Sequence, residues 1–170
     1  MGSTRVDSTR VVSAGSVDVA VGTRSVPAAI LALTTVPAVD YADTFTLFTD
    51  VQATPEEWAR AMFGDVPTLT ERLIWRGLLG LRLAPQPSPA NVAGWQVRAR
   101  KLGSITLEAE SSIVVGNLVV LTAGGQVSLG TFLHYRRRLG TCIWSPLSVV
   151  HRRLAPGLLR DAEATIRASR

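Results

Sequence analysis

The stretch CIWSPLSVVHRRLAP, residues 142–156, places a histidine on the apolar side of a predicted amphipathic helix. His151 shares that face with Leu147 and Leu154, so we expect its ring to point towards the layer against which the helix packs. A buried neutral imidazole needs a partner for at least one ring nitrogen, and desolvation favours its neutral, basic form near physiological pH. Two roles are open: a contact or base for a ligand, and a structural histidine that bonds a carbonyl or carboxylate.

A second histidine and a tyrosine are adjacent on a predicted strand, so their side chains leave on opposite faces of the sheet. Tyr135 is in phase with Thr131 and Leu133, which predicts that Tyr135 and Thr131 point inward and His134 outward. A one-residue bulge would reverse this assignment. Tyr135, like His151, is therefore a candidate proton-transfer group.

Tryptophans and one amide complete the candidates. Trp95 begins a strand and Trp144 lies beside the C-terminal helix, so both could border a cavity, although tryptophan more often belongs to a core. Asn117 interrupts an apolar strand, where its amide is either satisfied by a cross-strand neighbour or exposed to a cavity. No catalytic residue is assigned. The residues predicted to bind a ligand are His151, Tyr135, Trp95, Trp144, Asn117, Thr131 and Leu147.

The residue inventory argues against metal and cofactor chemistry. The chain has two histidines, one cysteine and no H-E-x-x-H pattern, so we predict no metal site. It also lacks the G-x-S-x-G, P-loop and G-x-G-x-x-G patterns, so we expect neither a serine nucleophile nor a nucleotide cofactor. The lone Cys142 cannot form an intramolecular disulfide, which fits a reducing cytoplasm, and we interpret it as a small buried hydrophobe rather than a nucleophile.

Charge and hydropathy restrict the class of protein. The chain has 170 residues, of which 46% are hydrophobic and 18% charged, and this suits one globular domain. Its net charge of +5 comes almost wholly from scattered arginines, since Lys101 is the only lysine. Nucleic-acid binding needs a contiguous basic face, so we do not expect it. No apolar run reaches the ~20 residues of a membrane span, and we predict a cytoplasmic protein without one.

The chain divides into an extension and one domain. Residues 1 to about 25 are rich in Ser, Thr, Gly and Val without sustained periodicity, and the organised part begins near Pro37. We therefore expect residues 1–36 to form an N-terminal extension that is poorly ordered or loosely attached. Residues 37–170 are predicted to form a single α+β domain. Its first strand covers 43–50, and two helices follow, each started by a capping box, Thr54 with Glu57 and Thr68 with Glu71.

Antiparallel strands and a terminal helix fill the rest of the domain. Alternating patterns predict strands at 95–101, 104–111, 112–123 and 126–137. The final helix begins either at Ser145, with Pro146 in its first turn, or earlier near Gly140, with Pro146 inside it. A kink or short break is expected at Pro156 and Gly157. The predicted sheet-facing stripe of this helix is Leu147, Val150, His151, Leu154 and Leu158, and Ile166 extends it two turns further on.

The segments DYADTFTL, WARAMFG, SLGTFLHYRRRLG and HRRLAPGLLRDA carry a family resemblance. With the order strand, two short helices, antiparallel strands and long helix, they resemble the START and polyketide-cyclase-like (SRPBCC) superfamily. Within it they are similar to the actinobacterial domain of unknown function 2867 family. The resemblance covers roughly residues 37–168 and implies a helix-grip fold, in which a curved sheet wraps the last helix around an apolar cavity. It implies no catalytic residues, because members differ in their sites.

Three functions follow as hypotheses. The first is binding of an apolar, lipid- or polyketide-like small molecule between the sheet and the last helix. The second is a cyclase- or dehydratase-like enzyme in which His151 or Tyr135 moves a proton. The third is a structural or partner-binding module without a cavity, for which a homodimer through the sheet edge is one arrangement. A cavity below the ~300 Å³ typical of the smallest ligand sites would favour the third.

Overall fold

Seven strands and one long helix dominate the computed structural model, which describes residues 15–170. The elements are β1 (Val17–Val21), α1 (Ala28–Leu31), β2 (Tyr41–Phe48), α2 (Pro55–Phe63), α3 (Leu69–Arg72), a π-helix (Leu73–Leu78), β3 (Asn91–Val92), β4 (Trp95–Lys101), β5 (Ser104–Glu110), β6 (Val114–Ala123), β7 (Gln126–Tyr135) and α4 (Arg138–Ala168). The predicted α+β class, with an antiparallel sheet and a long C-terminal helix, is confirmed.

The strands form one curved antiparallel sheet in the order β1-β2-β7-β6-β5-β4-β3. Consecutive strands from β3 to β7 pair with one another as hairpins, and β2 pairs with β7. The longest hairpin, β6–β7, turns at Gly124 and Gly125, whose φ angles are +58° and +74°. A two-residue turn with two positive φ angles matches the twist of the strands, and glycine adopts it at little cost.

Both predicted capping boxes are present. In α2 the Glu57 amide donates to Thr54 Oγ1 at 3.2 Å, and the Thr54 amide donates to the Glu57 carboxylate at 2.6 Å. The reciprocal pair Thr68 and Glu71 starts α3 in the same way. After one turn, however, α3 widens into the π-helix, and Leu73 at its start is exposed. Local sequence therefore determined where these helices begin, but not how the second one continues.

The N-terminal segment differs from the loosely attached extension that we expected through residue 36. Strand β1 pairs along its whole length with β2, from Val17 opposite Leu47 to Val21 opposite Asp43. Val26, Ile30 and Val36 are buried. Their burial comes from contact with the sheet, which a local pattern does not reveal. The first fourteen residues of the expected extension lie outside the described part of the chain.

The two faces of the sheet carry separate apolar clusters. Helices α2 and α4 cover the concave face and enclose the main core. The segment from Val26 to Val39 covers the convex face, where alternate residues of β6 and β7 point outward. The buried members of this convex-face cluster are Val26, Ile30, Val36, Ala42, Val115, Val119 and Phe132. Because both faces are covered, β6 and β7 are buried along most of their length.

Helix α4 begins at Arg138, in agreement with the earlier of the two predicted starts, and runs through Pro146 and Pro156 without the expected break. Of the predicted stripe, only Ile166 belongs to the buried face of α4. Leu147 and Leu158 are half-buried, and Val150 and Leu154 are exposed. The buried residues of this face are Gly140, Trp144, Ser148, Ala155, Leu159, Ala162 and Ile166. Several of them are small, so the helix can approach the core closely there, and its longer aliphatic side chains lie to one side.

Candidate ligand cavity

A cavity of about 440 Å³ lies between the concave face of the sheet, the π-helix and α4. Its wall is mainly aromatic and aliphatic, and includes Phe63, Trp75, Trp95, Val114, Leu118, Leu129, Leu133 and Trp144. Ligand sites typically measure roughly 300–1,000 Å³ and are lined mostly by apolar side chains with a few polar groups. The size and composition of this cavity match that description.

The mouth of the cavity lies between α3 and the middle of α4. Two aliphatic residues of α4 border it while exposing much of their surface to water, Val150 at 46% and Leu154 at 60%. Charged side chains also border it here, Glu71 from α3 and Arg153 and Asp161 from α4. An apolar molecule entering at this point would cover side chains that are otherwise in contact with solvent.

Aromatic rings pack edge to face along the inner wall. The rings of Trp75 and Trp95 are 5.5 Å apart at 84°, and Phe63 meets Trp75 at 6.3 Å. Gly116 of β6 makes room for Trp95, because a Cβ atom at Gly116 would lie 3.0 Å from Leu133 Cδ2 and 3.4 Å from Trp95. The absence of a side chain at this position therefore shapes the floor of the cavity.

A polar network occupies one end of this apolar cavity. His151 Nε2 lies 3.1 Å from Thr131 Oγ1 and 3.3 Å from Oδ2 of Asp43, which is fully buried. The Tyr41 hydroxyl donates to the same carboxylate at 2.5 Å. A buried carboxylate needs donors to offset its lost hydration, and here β2 and α4 each supply one.

Aromatic neighbours hold the imidazole of His151 in place. Phe45 meets it edge to face at 5.6 Å, and Trp144 lies against it at 5.5 Å. Tyr41 in turn packs against Trp144 at 5.3 Å. Burial, followed by the neighbouring Asp43 carboxylate, raises the pKa of Tyr41 far above its ordinary value. Tyr41 therefore stays protonated and keeps its role as donor to Asp43.

Five of the seven residues predicted to bind a ligand line this cavity: Trp95, Thr131, Trp144, Leu147 and His151. The structure brings them together from β4, β7 and α4. Both readings of His151 have support, since its ring bonds to a carboxylate and also forms part of the wall. Trp58 is a core residue of α2 and lies outside this cavity, whereas Trp75 borders it.

Asn117 does not reach the cavity. Its side-chain oxygen accepts hydrogen bonds from the Thr34 hydroxyl at 2.8 Å and from the Thr35 amide at 2.6 Å. Its amide nitrogen donates to Glu108 across the strand pair at 3.3 Å. Asn117 thus binds the N-terminal segment to the convex face. Of the two environments that the sequence left open for this amide, a cross-strand partner and a cavity, the structure shows the cross-strand partner. The unforeseen partners are the two threonines from the segment that we expected to be an extension.

Tyr135 faces the concave side, as predicted, but it lies beyond the cavity lining. It packs beside the start of α4, where a Cβ atom at Gly140 would be 3.2 Å from Tyr135 Cδ1. His134 lies on the other face, with Nδ1 2.9 Å from Asp40 Oδ2. The exposed Cys142 also differs from the small buried hydrophobe that we expected.

Sequence reasoning missed Asp43 and Tyr41. Asp43 is in phase with Phe45 and Leu47, which are both fully buried on the concave face of β2. A carboxylate on an otherwise apolar strand face is the signal that could have identified it, because such a group is stable only with partners. Its partner His151 is 108 residues away in the chain, so no local motif connects the two.

Comparison with protein-family models, with curated proteins and with solved structures finds no match for this chain. Along residues 15–170, no helix, α4 included, is both long and apolar enough to cross a bilayer. The same part of the chain contains no group of three or more His, Cys, Asp or Glu side chains placed to hold a metal ion.

A Tyr135→Phe variant is expected to lose less stability than the parent as the pH rises from 10 to about 12. Burial, and secondly the Asp40 carboxylate, raise the pKa of Tyr135 from 10.0 to about 12. The folded chain therefore holds this proton more tightly than the unfolded chain, and that stabilisation is lost as the pH rises through this window. Tyr135 is only half-buried, so the change is modest. Urea midpoints across the window measure it, and parallel pH slopes would contradict it.

Proposed function

We propose that the protein binds an apolar small molecule in the cavity between the sheet and α4. The observation that carries this proposal is an apolar space of about 440 Å³ whose wall holds three tryptophans and only a few polar groups. This volume exceeds the ~300 Å³ of the smallest common ligand sites. It favours a ligand-binding role over a structural module without a cavity.

The position of the longer side chains on α4 also supports a ligand. Val150 and Leu154 border the cavity, and both are exposed to solvent instead of packing in the core. Covering such surface contributes roughly 25 cal/mol per Å² of apolar area. A bound molecule would cover this apolar surface. When no ligand is bound, the small residues of the buried face still let α4 pack close to the core.

The helix-grip fold is part of the same proposal. Strand β2, helices α2 and α3, strands β3 to β7 and helix α4 follow one another in the order that the START-like resemblance implies. Strand β1 is an addition at the edge of the sheet. A ligand between the sheet and the last helix is what that fold would accommodate. A cytoplasmic location is also part of the proposal, and the exposed free thiol of Cys142 supports it, because thiols stay reduced in that compartment.

Binding of N-phenyl-1-naphthylamine, a neutral fluorophore, tests the proposal. A Gly157→Phe variant is expected to bind it about tenfold more weakly than the parent, equivalent to about 1.4 kcal/mol. Gly157 borders the cavity, and a Cβ atom there would meet nothing within 4 Å, so the new ring enters open space. Replacing a helical glycine also favours α4, so the variant should fold.

Ala164→Phe is the matched control, because it adds the same ring to the exposed side of α4. Fluorescence titration of the three proteins gives the affinities. Saturable binding by the parent and the control, with weaker binding by Gly157→Phe, supports the proposal. Absence of saturable binding by the parent, or equal affinities in all three proteins, would show that the cavity is not the site.

A further inference from the structure

His151 is the inner polar side chain of the cavity that could accept a hydrogen bond from a bound molecule. Of the other polar groups that border the cavity, Arg153 and Asp161 are exposed at the mouth, and Glu71 is engaged in its capping box. The buried indole N–H groups of Trp95 and Trp144 have no hydrogen-bond partner among residues 15–170, but they can only donate. Thr131 is almost fully buried and already bonded to the imidazole. The His151 side chain borders the cavity and is 23% exposed.

The network behind His151 determines which nitrogen carries the proton. Asp43 is an acceptor, because its carboxylate accepts the hydrogen bond that the Tyr41 hydroxyl donates. Since Nε2 is the imidazole atom that faces this carboxylate, the proton of a neutral ring belongs on Nε2. The other nitrogen, Nδ1, then carries a free lone pair. Nδ1 makes no hydrogen bond to any residue within the described range 15–170.

We propose that the ligand of this cavity is an apolar alcohol or phenol whose hydroxyl group donates a hydrogen bond to Nδ1 of His151. This inference rests on the proposed function. Asp43 and Tyr41 act as positioning residues that fix the tautomer, and the rings of Phe45 and Trp144 fix the plane of the imidazole. The rest of the ligand lies against the aromatic and aliphatic wall.

A hydroxyl group fits better than a carboxylate at this position. A ligand carboxylate would bring a second negative charge to a ring that already faces the buried Asp43 carboxylate. Like charges across a low-dielectric site disfavour each other strongly. A purely apolar ligand would leave Nδ1 without a partner once water is displaced, and an unpaired buried polar group is costly. A neutral donor avoids both penalties.

The test compares 2-naphthol with 2-methoxynaphthalene as competitors of N-phenyl-1-naphthylamine at neutral pH. The two molecules share a ring system, and the ether carries a methyl group in place of the hydroxyl proton. An apolar cavity with no acceptor would favour the ether, because the hydroxyl group loses its hydration on binding. We expect the parent protein to bind 2-naphthol about fivefold more tightly, as one buried hydrogen bond implies.

His151→Phe keeps an aromatic ring between Phe45 and Trp144 but removes the acceptor, so the preference for 2-naphthol should disappear. His134→Phe is the matched control, since it makes the same substitution on the other face of the sheet, outside the cavity, and should retain the preference. In both variants the affinity for the ether reports whether the cavity itself is intact.

Asp43→Asn tests the positioning role directly. With the Tyr41 hydroxyl still bonded to the amide oxygen, the new NH₂ group donates to Nε2, which moves the proton of the ring to Nδ1. The variant should then lose the preference for 2-naphthol and gain one for 2-acetylnaphthalene, which offers only an acceptor. A residue that merely supports the fold would not exchange one preference for the other.

The outcomes separate the two proposals. If neither naphthalene competes with the fluorophore, the proposed function fails. If both compete but the parent prefers the ether or 2-acetylnaphthalene, the cavity binds apolar molecules and the hydroxyl inference is overturned. A preference for 2-naphthol that survives in His151→Phe also overturns it.

Discussion

An Ile30→Asp variant is expected to lose at least about 4 kcal/mol of the free energy of unfolding. Ile30 is 1% exposed and packs on the convex face, where a Cβ atom at Gly130 would lie 3.0 Å from Ile30 Cδ1. The change removes this apolar contact and places a carboxylate opposite the middle of β7. Domains of this size are typically stable by about 5–15 kcal/mol, so the loss is a large share of the total stability. Urea denaturation measures the loss.

The control for this prediction is the neighbouring residue of the same helix. Ala29 is exposed, so Ala29→Asp adds the same charge without entering the sheet and should change stability by less than about 0.5 kcal/mol. Equal stabilities of the two variants would mean that the segment 26–36 is attached as loosely as the sequence alone suggested. A large difference between them would make this segment an integral layer of the fold.

The second large effect is expected for Trp58→Ala, which should cost about 3–5 kcal/mol of stability. Trp58 is 1% exposed and lies on the buried side of α2, together with Met62 and Phe63. Its removal leaves a void in the main core that close-packed neighbours cannot fill. Thermal or urea unfolding of the variant provides the measurement.

Trp75→Ala is the contrasting variant. Trp75 is half-buried and borders the cavity, so its truncation enlarges a space that already exists instead of opening a new one. We expect a smaller loss of stability than for Trp58→Ala, together with weaker binding of N-phenyl-1-naphthylamine. The reverse order of stabilities would contradict the division between core and cavity tryptophans described above.

The cavity explains why α4 combines a narrow buried face with exposed aliphatic residues. Ala155 and Ala162 lie in the core, whereas Val150 and Leu154 border the mouth. Any molecule that binds only the folded chain stabilises it in proportion to the logarithm of its concentration relative to Kd. A ligand would therefore raise the stability of the protein, and this rise is a measure of binding independent of fluorescence.

The sequence by itself determined those features whose causes lie within a few residues. The hydroxyl and carboxylate of Thr54 and Glu57 satisfy amides at one helix end, so their spacing was sufficient to locate the start of α2. Gly124 and Gly125 between alternating segments were sufficient for the β6–β7 hairpin. Alternation along β7 also placed Thr131 and Tyr135 on the inner face.

Tertiary structure alone decided the features that depend on distant partners. The face of α4 that is buried follows from where small residues meet the core, not from where the largest aliphatic side chains fall. The segment containing Ile30 is ordered because the convex face of the sheet needs cover, which its own composition does not reveal. Asp43 and His151 meet across 108 positions of the chain, because the pairing of β2 with β7 and the packing of α4 bring them to one end of the cavity. Local patterns record short-range hydrogen bonding and burial, whereas a binding site depends on which surfaces the folded chain brings together.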